Sequence, residues 1–260
     1  MFEPVTDLST ARILVSNDDG IHAPGIALLE EIALSLSDDV WVVAPETEQS
    51  GTAHSLTLHH PLRYRQVAEK RFAVDGTPTD SVLLAVNKLV PDRKPTLLLS
   101  GVNRGANLGD DVTYSGTIAA AIEGTLLGVP SIALSQIFRH PDPVPWETAR
   151  AHAARVIRAC CAQGWPRNVT INVNFPNCAP DEVAGVEVVR QGKRKLGDGL
   201  IERHDPRGRP YVWIGPQRNE ETTVVGTDIE AVRRNVVSVT PLCVDLTHEP
   251  TMLALKQVLR

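Results

Sequence analysis

Residues 12–20 read RILVSNDDG, an apolar run followed at once by a polar turn. Apolar residues at successive positions, and not at alternate ones, are typical of a parallel strand that is covered on both faces. Similar runs recur at Val40–Ala44, Thr96–Ser100 and Ser131–Ser135, and apolar residues at helical spacing lie between them. This order of strand, helix and strand predicts a doubly wound α/β fold with a mostly parallel sheet.

The size and charge of the chain exclude some classes of protein. The 260 residues include 26 Lys and Arg against 31 Asp and Glu, a formal net charge of −5. A globally basic protein that binds a nucleic-acid polymer is therefore excluded, because such binding neutralises phosphates with Lys and Arg. The length fits one large domain or two small ones, either of which buries a core without disulfides.

The cysteines and the N-terminus predict a cytoplasmic location. Cys160, Cys161, Cys178 and Cys243 form neither a CxxC pair nor a metal-finger spacing, which favours reduced thiols. The first eleven residues lack the apolar centre of a signal peptide. Because no apolar run approaches the roughly 18 residues that a membrane span needs, we expect no membrane partner.

The composition changes towards the C-terminus. Gly, Pro, Arg and Asp dominate residues 191–210, and Tyr211–Gly215 has the pattern of an isolated short strand. We therefore predict an α/β core over residues 1–185 and an irregular extension over residues 186–260. Within the core, alternation in Leu56–Val74 predicts a hairpin, and Thr77-Pro78-Thr79-Asp80 predicts a capped helix start.

The turn after the first strand carries two adjacent carboxylates, Asp18 and Asp19. Neighbouring carboxylates that lose hydration repel each other, so a cation between them would relieve the repulsion. Hard oxygen ligands favour Mg²⁺, Mn²⁺ or Ca²⁺. Asn, Asp and Gly are also common in ordinary solvated turns, and the turn by itself supports both interpretations about equally.

A second polar loop, residues 100–117, follows the third strand and runs into a helix. Its glycines permit close approach of a ligand, and Asn103 and Asn107 offer amide groups. Ser115-Gly116-Thr117 at the helix start presents hydroxyl and N–H groups to a phosphate. The alternative is that Ser115 is an ordinary helix cap.

A third loop, Pro45–Thr57, is long enough to suggest a functional loop. It contains Ser50 and His54, and the histidine is a candidate acid or base, although a lone histidine in a loop is more often a solvated surface residue. Tyr114 is the clearest aromatic residue near the predicted site. Few other aromatic residues lie near it.

Several motifs in order resemble one known family. They are Val15 to Ile26, Val43-Ala44-Pro45, Ser50-Gly51, Ser55-Leu56-Thr57, Gly76 to Asp80, Ser100 to Thr117, Thr227-Asp228 and Ser238 to Leu242. Together they span about residues 12–242 and are similar to the signature of the SurE family of stationary-phase survival nucleotidases. The resemblance implies a Rossmann-like fold whose C-terminal extension is exchanged between the subunits of a homodimer or homotetramer.

The resemblance also implies an activity, a cofactor and a site. The expected activity is metal-dependent hydrolysis of nucleoside 5′- and 3′-monophosphates, and sometimes of short polyphosphate. One Mg²⁺ or Mn²⁺ per subunit is expected, and the positions that match the family's metal ligands are Asp18, Asp19, Ser50 and Asn103. Those that match its phosphate-contacting loop are Asn107, Ser115, Gly116 and Thr117. We hypothesise that one of the two aspartates also orients water and that Asn107 stabilises the phosphoryl oxygens.

The chain departs from the family pattern at three places. About ten residues precede the first strand, Glu46, Glu48 and Gln49 stand where basic residues are common, and Asn235-Val236 replaces a Gly-aromatic pair. Two other functions remain open at this point. One is a nucleotide-binding protein without turnover, and the other is a receiver-like signalling module, which would need a phosphoacceptor Asp at the end of its third strand.

Overall fold

A computed structural model of the chain describes residues 1–196, 199–215 and 218–259. Within those ranges, nine strands form one sheet in the order β3-β4-β2-β1-β5-β6-β7-β13-β8. The strands of this sheet are β1 Arg12–Ser16, β2 Asp39–Pro45, β3 Arg63–Ala68, β4 Arg71–Asp75, β5 Leu97–Arg104, β6 Ser131–Gln136, β7 Val169–Phe175, β8 Gly185–Val188 and β13 Val236–Cys243. The six central strands from β4 to β7 are parallel, which confirms the predicted mostly parallel sheet.

Helices cover both faces of the sheet, as expected for a doubly wound fold. They are α1 Pro24–Leu34, α2 Pro78–Leu84, α3 Gly116–Leu126, α4 Trp146–Gln163, α5 Asp228–Arg233 and α6 Glu249–Val258. Ile13 and Val15 of β1 pack into the cluster under α1 and α4, whereas Leu14 faces the cluster under α2 and α3. The apolar run of β1 is therefore buried on both faces, as its sequence predicts.

The predicted local features around α2 are present. β3 and β4 form the antiparallel hairpin expected within Leu56–Val74. Thr77 caps α2, because its Oγ1 accepts a hydrogen bond from Asp80 N at 3.1 Å while Asp80 Oδ2 accepts from Thr77 N at 2.9 Å. This reciprocal pair is the capping box that the sequence predicts.

The chain reverses its direction of travel across the sheet between β1 and β5. From β1 it proceeds outward through β2 and β4, and it then returns to place β5, β6 and β7 on the other side of β1. In such folds ligands bind at this switch point, outside the carboxyl ends of the strands. The turn after β1 and the end of β5 meet there, so the two predicted polar loops become neighbours.

The last third of the chain contributes to the sheet and also leaves it. β13 pairs antiparallel with β7, although its residues lie in the predicted extension. The prediction of an isolated strand at Tyr211–Gly215 is wrong, because β11 Pro210–Ile214 pairs with β10 Leu200–His204 in an antiparallel hairpin. The strands β9 Arg194–Leu196 and β12 Arg218–Glu220 form a second pair.

The segment that precedes β1 packs against the fold. Phe2 is buried and meets Trp165 edge to face, with ring centroids 6.2 Å apart. The N–H groups of Phe2 and Val5 donate to the carbonyl groups of Trp165 and Cys161 at 2.8 Å each. In the part of the chain that the structure describes, no helix is both long and apolar enough to cross a membrane.

Candidate functional site

Asp18 lies two residues beyond β1 and is buried at the switch point. Its Oδ1 accepts a hydrogen bond from Thr117 Oγ1 at 2.5 Å, and its main-chain oxygen accepts from Gln49 N at 2.7 Å. Burial raises the pKa of Asp18 to about 6, and the charge of Asp19 adds to this rise against the Thr117 hydrogen bond. A buried carboxylate with a raised pKa is one whose charge the protein compensates only in part.

Gly116, the first residue of α3, allows the helix to approach Asp18. A Cβ atom on Gly116 would lie 2.7 Å from Asp18 Cβ and 3.0 Å from Asp18 Oδ2. Such a contact is too close for any side chain at this position. Glycine is therefore required for steric reasons, and the start of α3 rests directly on the carboxylate.

Asp19 lies beside Asp18 and is held by the end of β5. Its Oδ2 accepts a hydrogen bond from the N–H of Arg104 at 3.1 Å. Burial raises the pKa of Asp19, and the charge of Glu48 adds to the rise. Two carboxylates whose pKa values are both raised thus face one region of the molecule.

Asn103 reaches the same region because β5 is irregular near its end. The register of β5 against β6 shifts between Ser100 and Asn103. Gly101 has a φ of +134°, and a Cβ there would lie 2.2 Å from the carbonyl oxygen of Leu134. Irregularities of this kind redirect side chains next to active sites. Asn103 Nδ2 donates to Gly105 O at 3.0 Å, so its amide oxygen is the atom that it offers to a cation.

Asn107 is buried in a network of amide groups. Its main-chain N–H donates to Asn174 Oδ1 at 2.9 Å, and its carbonyl oxygen accepts from Asn172 Nδ2 at 2.9 Å and Asn174 Nδ2 at 3.0 Å. Its own Nδ2 donates to Ser135 Oγ at 2.9 Å. Strands β6 and β7 therefore hold Asn107 through both its main chain and its side chain.

The start of α3 serves as a helix cap and as a support for Asp18. Ser115 Oγ accepts a hydrogen bond from Ile118 N at 3.1 Å, which is the capping role considered from the sequence. The Thr117 hydroxyl is engaged by Asp18. Ser115 lines the cleft, whereas Gly116 and Thr117 are buried behind Asp18.

One cleft of about 1240 Å³ brings most of the predicted residues together. Its walls include Asp18, Asp19, Ser50, Asn103, Asn107 and Ser115. Ser50 comes from the exposed loop after β2, and its hydroxyl donates to Glu48 Oε1 at 2.8 Å. His54 is exposed and does not line the cleft; its Nε2 lies 2.9 Å from Glu123 Oε2.

Several residues of the site are not predicted from the sequence. Tyr114 lines the cleft as expected, but Phe138 and Trp146 line it as well, and the sequence does not single them out. Asn172 and Asn174 lie on β7, where they alternate with apolar residues. A pattern of buried amides at every second position of a strand is the signal that identifies them.

Asp228 ties the C-terminal third to the second polar loop. Its Oδ2 accepts a hydrogen bond from Gly109 N at 2.9 Å, and its Oδ1 accepts from Gly192 N at 2.8 Å. Burial raises the pKa of Asp228 against these hydrogen bonds. Arg194, beside the same loop, lines the cleft and pairs with Asp111 at 2.9 Å.

The donors present fit a hard divalent cation. In the described residues no group of three or more His, Cys, Asp or Glu side chains is placed to hold a metal. The cleft instead offers two carboxylates, one amide oxygen and one hydroxyl, which are the oxygen donors that Mg²⁺ and Mn²⁺ accept. The partly compensated charge of buried Asp18 fits a cation at this point.

Comparisons with known proteins agree with this arrangement. The family model described as "Survival protein SurE" matches residues 13–198. The chain is 64% identical to the 5′-nucleotidase SurE of Paramagnetospirillum magneticum, with 98% of each chain covered, and 60% identical to that of Rhodospirillum rubrum, again with 98% of each covered.

A solved structure shares the fold. The crystal structure of the SurE protein from Aquifex aeolicus superimposes with a TM-score of 0.83 at 40% identity, covering 95% of this chain and 99% of that one. At the end of β5 this chain has Asn103 and Arg104, where a receiver module would need its phosphoacceptor Asp. From its sequence, its fold and the residues of its cleft, the chain belongs to the SurE family.

Proposed function

We propose that this protein is a divalent-metal-dependent phosphatase that hydrolyses nucleoside 5′-monophosphates, and also 3′-monophosphates, to nucleoside and phosphate. The observation that carries the proposal is the cleft that Asp18, Asp19, Asn103 and Asn107 line together. Relatives that match 98% of the chain are named 5′-nucleotidase SurE, which supports the same activity. Short polyphosphate is a further proposed substrate.

Asp18, Asp19, Ser50 and Asn103 would hold one Mg²⁺ or Mn²⁺ per subunit. A divalent cation there would act as a Lewis acid on a phosphoryl oxygen and would make water a better nucleophile. The protein supplies the positions of the donors: Thr117 fixes one oxygen of Asp18, and the Arg104 N–H fixes one oxygen of Asp19. These hydrogen bonds orient both carboxylates before a substrate arrives.

The remaining groups of the cleft would bind and orient the phosphate. Asn107 and Ser115 line the cleft beside the carboxylates, and N–H groups at the start of α3 favour an anion at that end. Groups placed in advance where charge develops stabilise a transition state more than mobile water does. We propose that Asp18 or Asp19 also orients the attacking water.

Phosphate release from nucleotides tests the function. The assay compares 5′-AMP, 3′-AMP and other nucleoside monophosphates with Mn²⁺, with Mg²⁺ and with EDTA. We expect release with a metal, loss of release in EDTA, and loss in Asp18→Ala and Asn103→Ala. Asp38→Ala, a change of an exposed turn aspartate distant from the cleft, is the matched control. Metal-dependent nucleotide binding without phosphate release would instead support the binding-protein alternative.

We also propose a cytoplasmic homodimer or homotetramer that assembles through the C-terminal third. The four cysteines are free thiols, which agrees with a reducing compartment. The hairpin of β10 and β11 exposes Leu200, Val212, Trp213 and Ile214, and no residue of α6 is buried. Exposed apolar surface of this extent is typical of a contact with another chain.

A further inference from the structure

The cleft is larger than a phosphate group and its metal require. Its volume of about 1240 Å³ lies above the roughly 300–1,000 Å³ that is usual for ligand pockets. Asp18, Asp19, Asn103, Asn107 and Ser115 account for one side only. The other side is built by Ile137, Phe138 and Val144 of the segment between β6 and α4 and by Trp146, the first residue of α4. A substrate that fills the cleft therefore has a second, less polar part.

A stacked pair of side chains connects the two sides. The Arg104 guanidinium carbon lies 5.2 Å from the centroid of the Phe138 ring, the geometry of a cation–π contact. The main-chain N–H of the same Arg104 donates to Asp19 Oδ2 at 3.1 Å. Arg104, which follows Asn103, therefore contacts both Phe138 and Asp19, a proposed metal ligand.

Trp146 is a second aromatic residue on this less polar side of the cleft, and packing fixes its position. A Cβ on Gly25 would lie 3.3 Å from Trp146 Cη2, so the indole rests close to the start of α1. Trp146 is half-buried against the core under α1 and α4 while it lines the cleft. The hydrophobic core thus supports this side of the cleft.

We propose that the Arg104–Phe138 stack is the nucleobase subsite, on which the base of a nucleoside monophosphate extends the stack while its phosphate lies against Asp18 and Asp19. The inference rests on the proposed nucleotidase function. Every base has a π face, so stacking accepts purines and pyrimidines alike. A planar guanidinium adds to such a stack, which a lysine ammonium at position 104 would not do.

The subsite has a consequence for selectivity. Base–aromatic stacking contributes about 1–3 kcal/mol per base by substitution, which corresponds to about 5- to 150-fold in affinity. The enzyme should therefore bind nucleoside monophosphates more tightly than a phosphate ester of ribose without a base. Among bases, the larger π surface of a purine should give a lower KM than a pyrimidine gives.

The test uses the full-length enzyme with Mn²⁺ and two substrates, 5′-AMP and ribose 5-phosphate. The variant Phe138→Leu keeps an apolar side chain but removes the aromatic face. We expect the ratio of the KM for 5′-AMP to the KM for ribose 5-phosphate to rise at least fivefold, and Phe138→Trp to keep the ratio of the unaltered enzyme. Arg104→Ala, which leaves the N–H to Asp19 in place, should raise the ratio in the same direction.

Tyr64→Leu is the matched control. Tyr64 is an exposed aromatic residue with the Lys88 ammonium 6.0 Å from its ring, and it lies outside the cleft. The subsite is overturned if Phe138→Leu leaves the ratio unchanged while both substrates are hydrolysed, or if Arg104→Ala raises both KM values equally, because Arg104 would then bind phosphate. If the unaltered protein hydrolyses neither substrate, the nucleotidase function itself is contradicted. This outcome differs from those that contradict only the nucleobase subsite.

Discussion

The side chain of Asn174 binds both the main-chain N–H and the main-chain carbonyl oxygen of Asn107. One amide group donates to the Asn107 carbonyl and accepts from the Asn107 N–H, at 3.0 and 2.9 Å. Without Asn174 the Asn107 carbonyl oxygen would keep its bond from Asn172 Nδ2, but the buried N–H would lose the bond to Asn174, and a buried polar group that loses its partner costs about 1–3 kcal/mol. Asn174 therefore fixes the main chain of the loop that carries a proposed phosphate contact.

We expect Asn174→Ala to lower kcat/KM for 5′-AMP at least tenfold and stability by about 1–3 kcal/mol. The loss of activity follows because a displacement of about 1 Å at a substrate contact is costly. Steady-state kinetics and urea unfolding measure the two effects. Asn87→Ala, in which the lost bond runs from an exposed Nδ2 to Leu83 O at 3.1 Å, is the control. Unchanged kinetics in a folded Asn174→Ala enzyme would contradict the positioning role.

Asp39 gives the stability of the protein a dependence on pH. Burial tends to raise its pKa, but hydrogen bonds from Arg12, Lys70 and Trp41 outweigh burial and lower the pKa to about 2. A carboxyl group whose pKa is lower in the folded state than in the unfolded state stabilises the fold while it is ionised. The stabilisation is complete above the unfolded pKa, near 4, and is lost as the pH falls towards 2.

We expect Asp39→Asn to be less stable than the unaltered protein by about 2 kcal/mol at pH 7. The difference should persist at pH 5 and shrink between pH 4 and pH 3, because Asp39 then becomes neutral in the unfolded chain. Urea unfolding at these pH values provides the measurement. A difference that stays constant down to pH 3 would mean that the charge of Asp39 is not its cause.

Helix α3 is the element that joins the sheet core to the site. Its first residue, Gly116, contacts Asp18, whereas Gly124, eight positions later, contacts Ser131 and Leu98 of the sheet. A Cβ on Gly124 would lie 2.5 Å from Ser131 Oγ and 2.8 Å from Leu98 Cδ1, which is as crowded as at Gly116. The two glycines are therefore a matched pair, one at the site and one in the core.

We expect Gly116→Ala and Gly124→Ala both to lower stability by about 1–3 kcal/mol through overpacking. Only Gly116→Ala should raise the Mn²⁺ concentration for half-maximal activity, by tenfold or more, because it displaces Asp18. Thermal unfolding and a metal titration of phosphate release separate the effects. Equal shifts of the metal requirement in both variants would mean that Gly116 acts through general stability alone.

Element boundaries follow the sequence closely where the local signal is strong. The capping box at Thr77 and the apolar run of β1 are set by neighbours in the chain, so both were predictable. The sequence predicts an isolated strand at Tyr211 because the partner strand, β10, lies in a stretch rich in exposed polar residues. The partner of a β-strand depends on tertiary contacts, and the residues of the strand itself do not identify it.

At the scale of the molecule, the C-terminal third leaves apolar surface uncovered in the single chain. Trp213 is 65% exposed and Ile214 is 70% exposed on the hairpin, and α6 has no buried residue. The predicted division at residue 185 remains a proposal, although β13 of the C-terminal third belongs to the main sheet. A truncation test must therefore spare β13.

We expect sedimentation or light scattering of the full chain to give the mass of a dimer or tetramer. Trp213→Ser should shift the protein towards smaller species, because it removes the largest exposed apolar side chain of the hairpin. Leu34→Ser, a change of an exposed leucine at the end of α1, is the control. A monomer mass for the unaltered protein at micromolar concentration would contradict assembly.

Local features of the sequence establish the α/β class, the strand that precedes Asp18 and Asp19, the capped helix starts and the family. These depend on periodicity, turn chemistry and ordered motifs, which are local properties of the chain. Tertiary structure alone decided that Asn174 supports Asn107, that Asp228 binds two distant loops, and that Phe138 stacks on Arg104. Such contacts join segments 34 to 119 positions apart, and only the packing of helices on the sheet brings those segments together.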